Sequence, residues 1–217
     1  MKLNKYIDHT LLKADATDAQ IRELCREAAE YEFYSVCVNS CHVKLCNELL
    51  ENTPVKIATV VGFPLGAMST AAKAYETEDA CINGASEIDM VINIGKVKSG
   101  DYDYVKQDIY SVCEKAKLHG AIVKVILETC LLTKQEIEET CQLAKEAGAL
   151  FVKTSTGFST GGATKEDVSL MRDSVPSFMK VKASGGIRDY ETAMEMISAG
   201  ADRIGTSAGV KIIETEN

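Results

Sequence analysis

Proline is scarce in this chain, with three residues in 217, and no Pro-, Gly- or Ser-rich stretch interrupts it. Without a linker or a break in composition, residues 1–217 read as a single domain. Long apolar runs are missing too, so no segment spans a bilayer, and residues 1–6 lead into no apolar signal region. The expectation is a cytoplasmic protein with no membrane partner. Basic charge is short: the net charge is −8, which argues against nucleic acid as a partner, although a local basic pocket for a small phosphate remains compatible.

No C-x-x-C pair organises the eight cysteines. Cys37, Cys41, His42 and Cys46 are close in sequence, but their spacing is not that of a zinc site. Cys41 and Cys46 fall in an amphipathic segment where cysteine serves as a small hydrophobe, and Cys25, Cys81, Cys113, Cys130 and Cys141 read as helix-face and strand-end fillers. No metal and no cofactor is expected, and the thiols are read as reduced.

What the chain does contain is a repeated strand–helix unit. Apolar runs predict strands over 6–10, 33–39, 55–62, 87–93, 121–128, 149–154, 179–183 and 202–205, several continuous enough to be covered by helices. Thr17 with Gln20 and Thr133 with Glu136 form capping boxes, and Thr164 with Asp167 a weaker variant. Gly84, Gly120, Gly148 and Gly200 stand where helices should stop, and Pro64 falls just beyond a strand. Eight such units predict an α/β fold of the (β/α)8 barrel type rather than an open doubly wound sheet. Residues 210–217 leave room for about two helical turns.

Active sites of such barrels lie where strands run out into loops. Lys153 ends the sixth strand and Lys182 sits in the seventh, and hydroxyl- and glycine-rich loops follow both, with Thr156 and Gly157 in the first. A strand-end lysine often only extends its stem to solvent. Two of them at matching ends suggest instead that one cation lowers the pKa of the other and frees an amine to attack a carbonyl. Asp89, among apolar neighbours, pairs with a lysine as a proton carrier or as a structural ion pair. Lys124 is either a supporting cation or a structural partner.

Strand alternation points Asp8 and Thr10 inward toward substrate and His9 outward, and places Cys37 inward on the pocket floor. His42 and His119 read as solvated. Gly185 and Gly186 after the seventh strand, and Gly205 and Ser207 at the eighth, match the usual phosphate cup of these barrels, with Arg188 as a further charge. The substrate expected is a small phosphorylated carbonyl compound. A sugar-phosphate isomerase using acid–base pairs, or a barrel that only senses a sugar phosphate, are the competing readings.

Several stretches together carry a resemblance: Ile7-Asp8-His9-Thr10, Val61-Gly62-Phe63-Pro64, Glu87-Ile88-Asp89-Met90, Leu127-Glu128-Thr129, Lys153-Thr154-Ser155-Thr156-Gly157 and Lys182-Ala183-Ser184-Gly185-Gly186. Across nearly its whole length the chain resembles the deoxyribose-phosphate aldolases, a class I family that works through a lysine Schiff base. The resemblance implies that Lys153 forms the imine and that Lys182 and Asp89 are the proton-relay pair. It also implies reversible cleavage of 2-deoxy-D-ribose 5-phosphate to D-glyceraldehyde 3-phosphate and acetaldehyde without metal, within deoxyribonucleotide and deoxyribose catabolism. A homodimer is compatible with it, although no helix face names an interface. Some members end in a tail with a terminal tyrosine that assists proton transfer. Here the sequence ends Glu216-Asn217, which bears on acetaldehyde proton exchange rather than on imine formation.

Overall fold

Eight parallel strands follow one another in chain order and close into a barrel in the computed structural model, which describes residues 2–215. The first four are β1 (Ile7–Leu11), β2 (Ser35–Val38), β3 (Lys56–Val61) and β4 (Glu87–Val91), and the rest are β5 (Ile122–Ile126), β6 (Phe151–Lys153), β7 (Lys180–Ser184) and β8 (Arg203–Thr206). Around them run α1 (Asp18–Glu30), α2 (Val43–Leu50), α3 (Thr70–Ile82), α4 (Ile94–Lys98) and α5 (Tyr102–Leu118). The ring of helices is completed by α6 (Lys134–Glu146), α7 (Lys165–Ser174), α8 (Tyr190–Ser198) and α9 (Gly209–Glu214). Glu216 and Asn217, where the resemblance predicted a departure, lie outside the described residues. Among the described residues, no helix is long and apolar enough to cross a membrane.

The local signals account for these elements. Both capping boxes form: Thr17 N–H donates to Gln20 Oε1 at 2.9 Å, and Thr133 N–H donates to Glu136. Gly84, Gly120, Gly148 and Gly200 all take positive φ just after a helix. Most strand bounds shift by one or two residues, and two of the shifts have a clear local cause. Residues 3–6 form a 3₁₀ turn (Leu3–Tyr6), so β1 starts one residue later than predicted. The apolar run at 87–93 stays a strand only to Val91, because the Asn93 side chain accepts from Lys96 N–H and starts the short helix α4.

Outward strand residues such as Val36, Ile57, Ile88 and Val181 join the helices in one continuous apolar shell. His9 belongs to this shell as expected: Nε2 lies 2.7 Å from Glu27 on α1, and its ring tilts against Phe33. Burial pushes the His9 pKa down, with Glu27 opposing. Three cysteine and histidine readings change. Cys41 and Cys130 are exposed in 3₁₀ turns instead of packing as hydrophobes, because neither turn buries a helix face. His42 is half-buried rather than solvated, and His119 is exposed as expected.

The interior differs by sector. β2 and β3, with Leu12, contribute the small apolar cluster Cys37, Ala58 and Val60. The strands from β4 round to β1 contribute charged side chains where barrels of this type normally hold branched aliphatic ones.

One buried ion pair braces the shell. Lys73 of α3 lies 2.5 Å from Asp108 of α5, both fully buried, and donates to the Val91 carbonyl at the end of β4 at 2.9 Å. Removing one partner strands the other charge in the core. Lys73→Met should therefore lower the unfolding free energy by about 3–5 kcal/mol, and Lys73→Met with Asp108→Leu should recover much of it, as read by urea titration.

Candidate active site

Asp89, from the middle of β4, is the centre of the charged sector. Its Oδ1 accepts from Lys124 of β5 at 2.7 Å, and its Oδ2 accepts from Lys153 of β6 at 2.7 Å and from Lys182 of β7 at 2.8 Å. The strand register explains the meeting: Asp89 is paired with Lys124, and Lys153 with Lys182, so all four project inward at similar height. Lys182 also lies 2.5 Å from Asp8 of β1. Asp8 Oδ1 in turn pairs with Arg203 of β8 at 2.5 Å and accepts from Ser35 at 2.7 Å. Arg203 reaches Glu87 at 3.0 Å, and Glu87 lies 2.6 Å from Lys124.

These contacts close on themselves. Arg203, Asp8, Lys182, Asp89, Lys124 and Glu87 form a ring of six buried groups alternating in sign, three cations against three carboxylates. Lys153 is the seventh ionisable group and hangs from Asp89 alone. The ring is neutral without it, so a proton on Lys153 gives the interior an uncompensated charge.

The electrostatics agree with this count. Burial lowers the Lys153 pKa, and the Lys182 charge lowers it further against the pull of Asp89. Burial works against charge on Lys182 as well, but Asp8 and Asp89 together overturn it and hold its pKa above the usual lysine value. Lys124 is raised for the same reason, by Asp89 and Glu87 against burial. Burial would raise both Asp8 and Asp89. For Asp8, Lys182 and Arg203 reverse it, and for Asp89 the three lysines do, so both carboxyls stay well below the ordinary range.

Above the ring, a cavity of about 320 Å³ opens at the carboxyl ends of the strands, and Lys153 is the ring cluster's representative on its wall. Thr10, Thr156, Gly157 and the loop residues Gly185, Gly186, Gly205 and Ser207 also line it, as the sequence predicted. Lys13 and Arg188, both exposed, bring positive charge to the wall. Gly185 needs its lack of a side chain: φ is +85°, and a Cβ there would meet Gly162 Cα at 3.0 Å. Gly205 has a different reason than the phosphate cup inferred for it. A Cβ at that position would stand 2.9 Å from Lys182 Cε, so the glycine clears the path of the lysine stem.

Two residues expected to meet substrate lie off the cavity wall. Asp8 is fully buried and absent from the cavity wall, because Lys182, Arg203 and Ser35 hold it inside the barrel. Cys37 packs with Leu12, Ala58 and Val60 away from the wall, and burial pushes its thiol up. Lys182 and Asp89 also lie beneath the wall, Asp89 in direct contact with Lys153 and Lys182 joined to it through Asp89. The sequence reading missed Arg203, Glu87 and Lys13. Alternation was the available signal for two of them, since Glu87 shares a face with Asp89 and Arg203 with Gly205. It also missed how Thr156 is held. Glu128 is buried with φ +58°, a left-handed conformation unusual outside glycine, and its carboxylate accepts from the Thr156 N–H at 3.2 Å and from the Thr156 hydroxyl.

The chain is similar to known aldolases along nearly its whole length. The model of the DeoC/LacD family of aldolases matches residues 2–215. The chain is 60% identical over 214 residues to the deoxyribose-phosphate aldolase of Finegoldia magna, covering 99% of this chain and all of that one. It is 58% identical to the deoxyribose-phosphate aldolase of Clostridium tetani, covering 99% of each. Among solved structures, the deoxyribose phosphate aldolase of Aeropyrum pernix, described as a unique tetramer, superposes with a TM-score of 0.92 at 37% identity over 98% of this chain and 89% of that one.

The depressed carboxylates make a pH-linked expectation. A carboxyl whose folded pKa lies below its unfolded value stabilises the fold above the unfolded pKa, about 3.9, and that contribution is lost as pH falls toward the folded value. Asp89→Asn removes one proton taken up on unfolding. Between about pH 3 and pH 4 its unfolding free energy should fall less steeply than that of the unsubstituted protein, by up to about 1.4 kcal/mol per pH unit in urea titrations.

Proposed function

The chain belongs to the DeoC/LacD family of aldolases, and from that premise we propose that it cleaves 2-deoxy-D-ribose 5-phosphate reversibly to D-glyceraldehyde 3-phosphate and acetaldehyde through an imine on Lys153. The observation that carries the reading is the surplus amine: six buried charges neutralise one another, and the seventh group, Lys153, is the one that faces the cavity. It holds its proton less tightly than an ordinary lysine, because burial and the Lys182 charge both work against the ammonium.

The open-chain sugar offers its C1 aldehyde to the Lys153 amine, and loss of water leaves a cationic iminium. That nitrogen gains a charge where Asp89 Oδ2 already lies 2.7 Å away, so the carboxylate favours the charged intermediate over the neutral ground state. Removal of the C3 hydroxyl proton then breaks the C2–C3 bond. The bonding pair moves into the iminium, giving an enamine on Lys153, and glyceraldehyde 3-phosphate departs. The proton passes through water to the Asp89–Lys182 pair and returns to C2 of the enamine. Water hydrolyses the resulting iminium and frees acetaldehyde. Asp89 is a weak base while three lysines hold it, so its first contribution is electrostatic; Lys182, already an ammonium, gives one proton up toward the enamine and takes one back through Asp89.

The phosphate fits the loops after β7 and β8, where Gly185, Gly186 and Ser207 let the backbone approach and Arg188 and Lys13 supply charge. Thr10, Thr156 and Gly157 complete the walls around the sugar. A cytoplasmic place in deoxyribose catabolism belongs to the same proposal. So does a homodimer, with a tetramer like that of the Aeropyrum pernix protein as the other outcome of light scattering.

Borohydride reduction in the presence of 2-deoxyribose 5-phosphate should leave an adduct on the Lys153 peptide, read by mass spectrometry. Lys153→Met should lose both the adduct and turnover. An adduct on Lys182 or Lys124 would keep the chemistry and reverse the assignment, and full activity in Lys153→Met would remove it. Lys182→Leu should retain the fold and lower kcat by about 10²–10⁴.

A further inference from the structure

Two ring members have no part in the chemistry set out above. Arg203 and Glu87 are the first residues of β8 and β4, at the amino-terminal end of the barrel, and neither lines the cavity. At that end a buried charge pair reads first as a stability device. Arg203 suits that reading, since its guanidinium stacks 3.3 Å from the centre of the Tyr34 ring and ties β1 to β4 through Asp8 and Glu87.

Sharing makes the pair more than a plug. Asp8 is also the partner of Lys182, and Glu87 is also the partner of Lys124. Both of those lysines share Asp89 with Lys153. Arg203 and Glu87 are each at most 4% exposed, so bulk solvent and salt screen little of their field. Removing the charge of either one changes the ring total by one unit, in opposite directions. The other titratable or charged groups around Lys153 are Cys37 of β2, a thiol pushed further toward its neutral form, and the exposed Lys13 and Arg188 on the same cavity wall, none of which either substitution alters.

We propose that Arg203 and Glu87 are positioning residues that set the proton affinity of the Lys153 amine from the far end of the barrel, acting through the alternating ring and with opposite sign. The consequence for activity rests on the reading of Lys153 as the imine-forming residue. The electrostatic claim does not.

The sign follows from the count. Without the Arg203 charge the ring carries one net negative charge, and Lys153 holds its proton to higher pH. Without the Glu87 charge the ring carries one net positive charge, and Lys153 sheds its proton at lower pH. A unit charge within a partly screened interior moves such a midpoint by about one pH unit.

The test is competitive labelling of the sugar-free protein with trace acetic anhydride across pH, reading the Lys153 peptide by mass spectrometry. Arg203→Met should raise the labelling midpoint by about one unit, Glu87→Gln should lower it by a similar amount, and Arg203→Lys should restore it. The acid limb of kcat/KM should move with the midpoint in each variant. A merely structural pair would reduce stability in both variants and leave the midpoint in place. Midpoints that stay within about 0.3 unit of the unsubstituted protein, or that move the same way in both, overturn the proposal. If Arg203→Met does not fold, the near-isosteric Glu87→Gln decides alone. Borohydride trapping run in parallel separates the two readings. Midpoints that move as expected with the imine on another lysine sustain the electrostatics and sink the mechanism. Fixed midpoints with the imine on Lys153 do the reverse.

Discussion

A single carboxylate shared by three lysines is the constraint on which this molecule turns. Asp89 is fully buried and has two oxygens for three amines, so it cannot fully satisfy all of them. Lys124 and Lys182 each have a second carboxylate, Glu87 and Asp8, and Lys153 has none. The asymmetry is purely one of partners. It distinguishes three chemically identical side chains within one cluster, and assigns the weakest hold on a proton to the one that meets the cavity. The weaker hold follows from a shortage of counterions rather than from a dedicated base beside the amine.

The cost of such an interior is met by the architecture around it. Charges removed from water are tolerated only with good geometry and complete pairing. The closed barrel supplies that geometry, since adjacent parallel strands fix the heights at which inward side chains meet. The opposite sector, Cys37, Ala58 and Val60, keeps ordinary apolar packing, and the shell between strands and helices holds most of the buried apolar side chains. The molecule therefore separates its tasks by side: cohesion from the outer face of the strands, and charge from part of the inner face.

Much of this was legible in the sequence. The strand–helix period, the two capping boxes and the stopping glycines give the barrel, because each is a local signal and the topology follows from their repetition. Lys153, Lys182 and Asp89 stand out because a charge inside an apolar strand contradicts its surroundings. The ring was not legible, because it depends on which inward side chains reach one another across the barrel. Asp8 illustrates the limit. Alternation correctly turned it inward, but whether it meets substrate or Lys182 is decided by the neighbouring strands. Gly205 makes the same point, since a glycine beside a phosphate loop and a glycine clearing a lysine stem look alike in one dimension. Cys41 and Cys130 failed for the opposite reason: turn geometry put a small apolar residue outside.

The contact between Asp8 and Arg203 joins residues 195 positions apart, across the seam where β8 meets β1. Every other neighbouring pair of strands in the barrel is consecutive in the chain. This one joins the first strand to the last. Until it forms, Asp8 lacks Arg203 and the ring is open, so the neutral balance around Lys153 does not exist. The unequal pairing of the three lysines is thus a product of completed folding. In a growing or partly folded chain, Lys153 lacks the burial and the neighbouring Lys182 charge that loosen its hold on a proton.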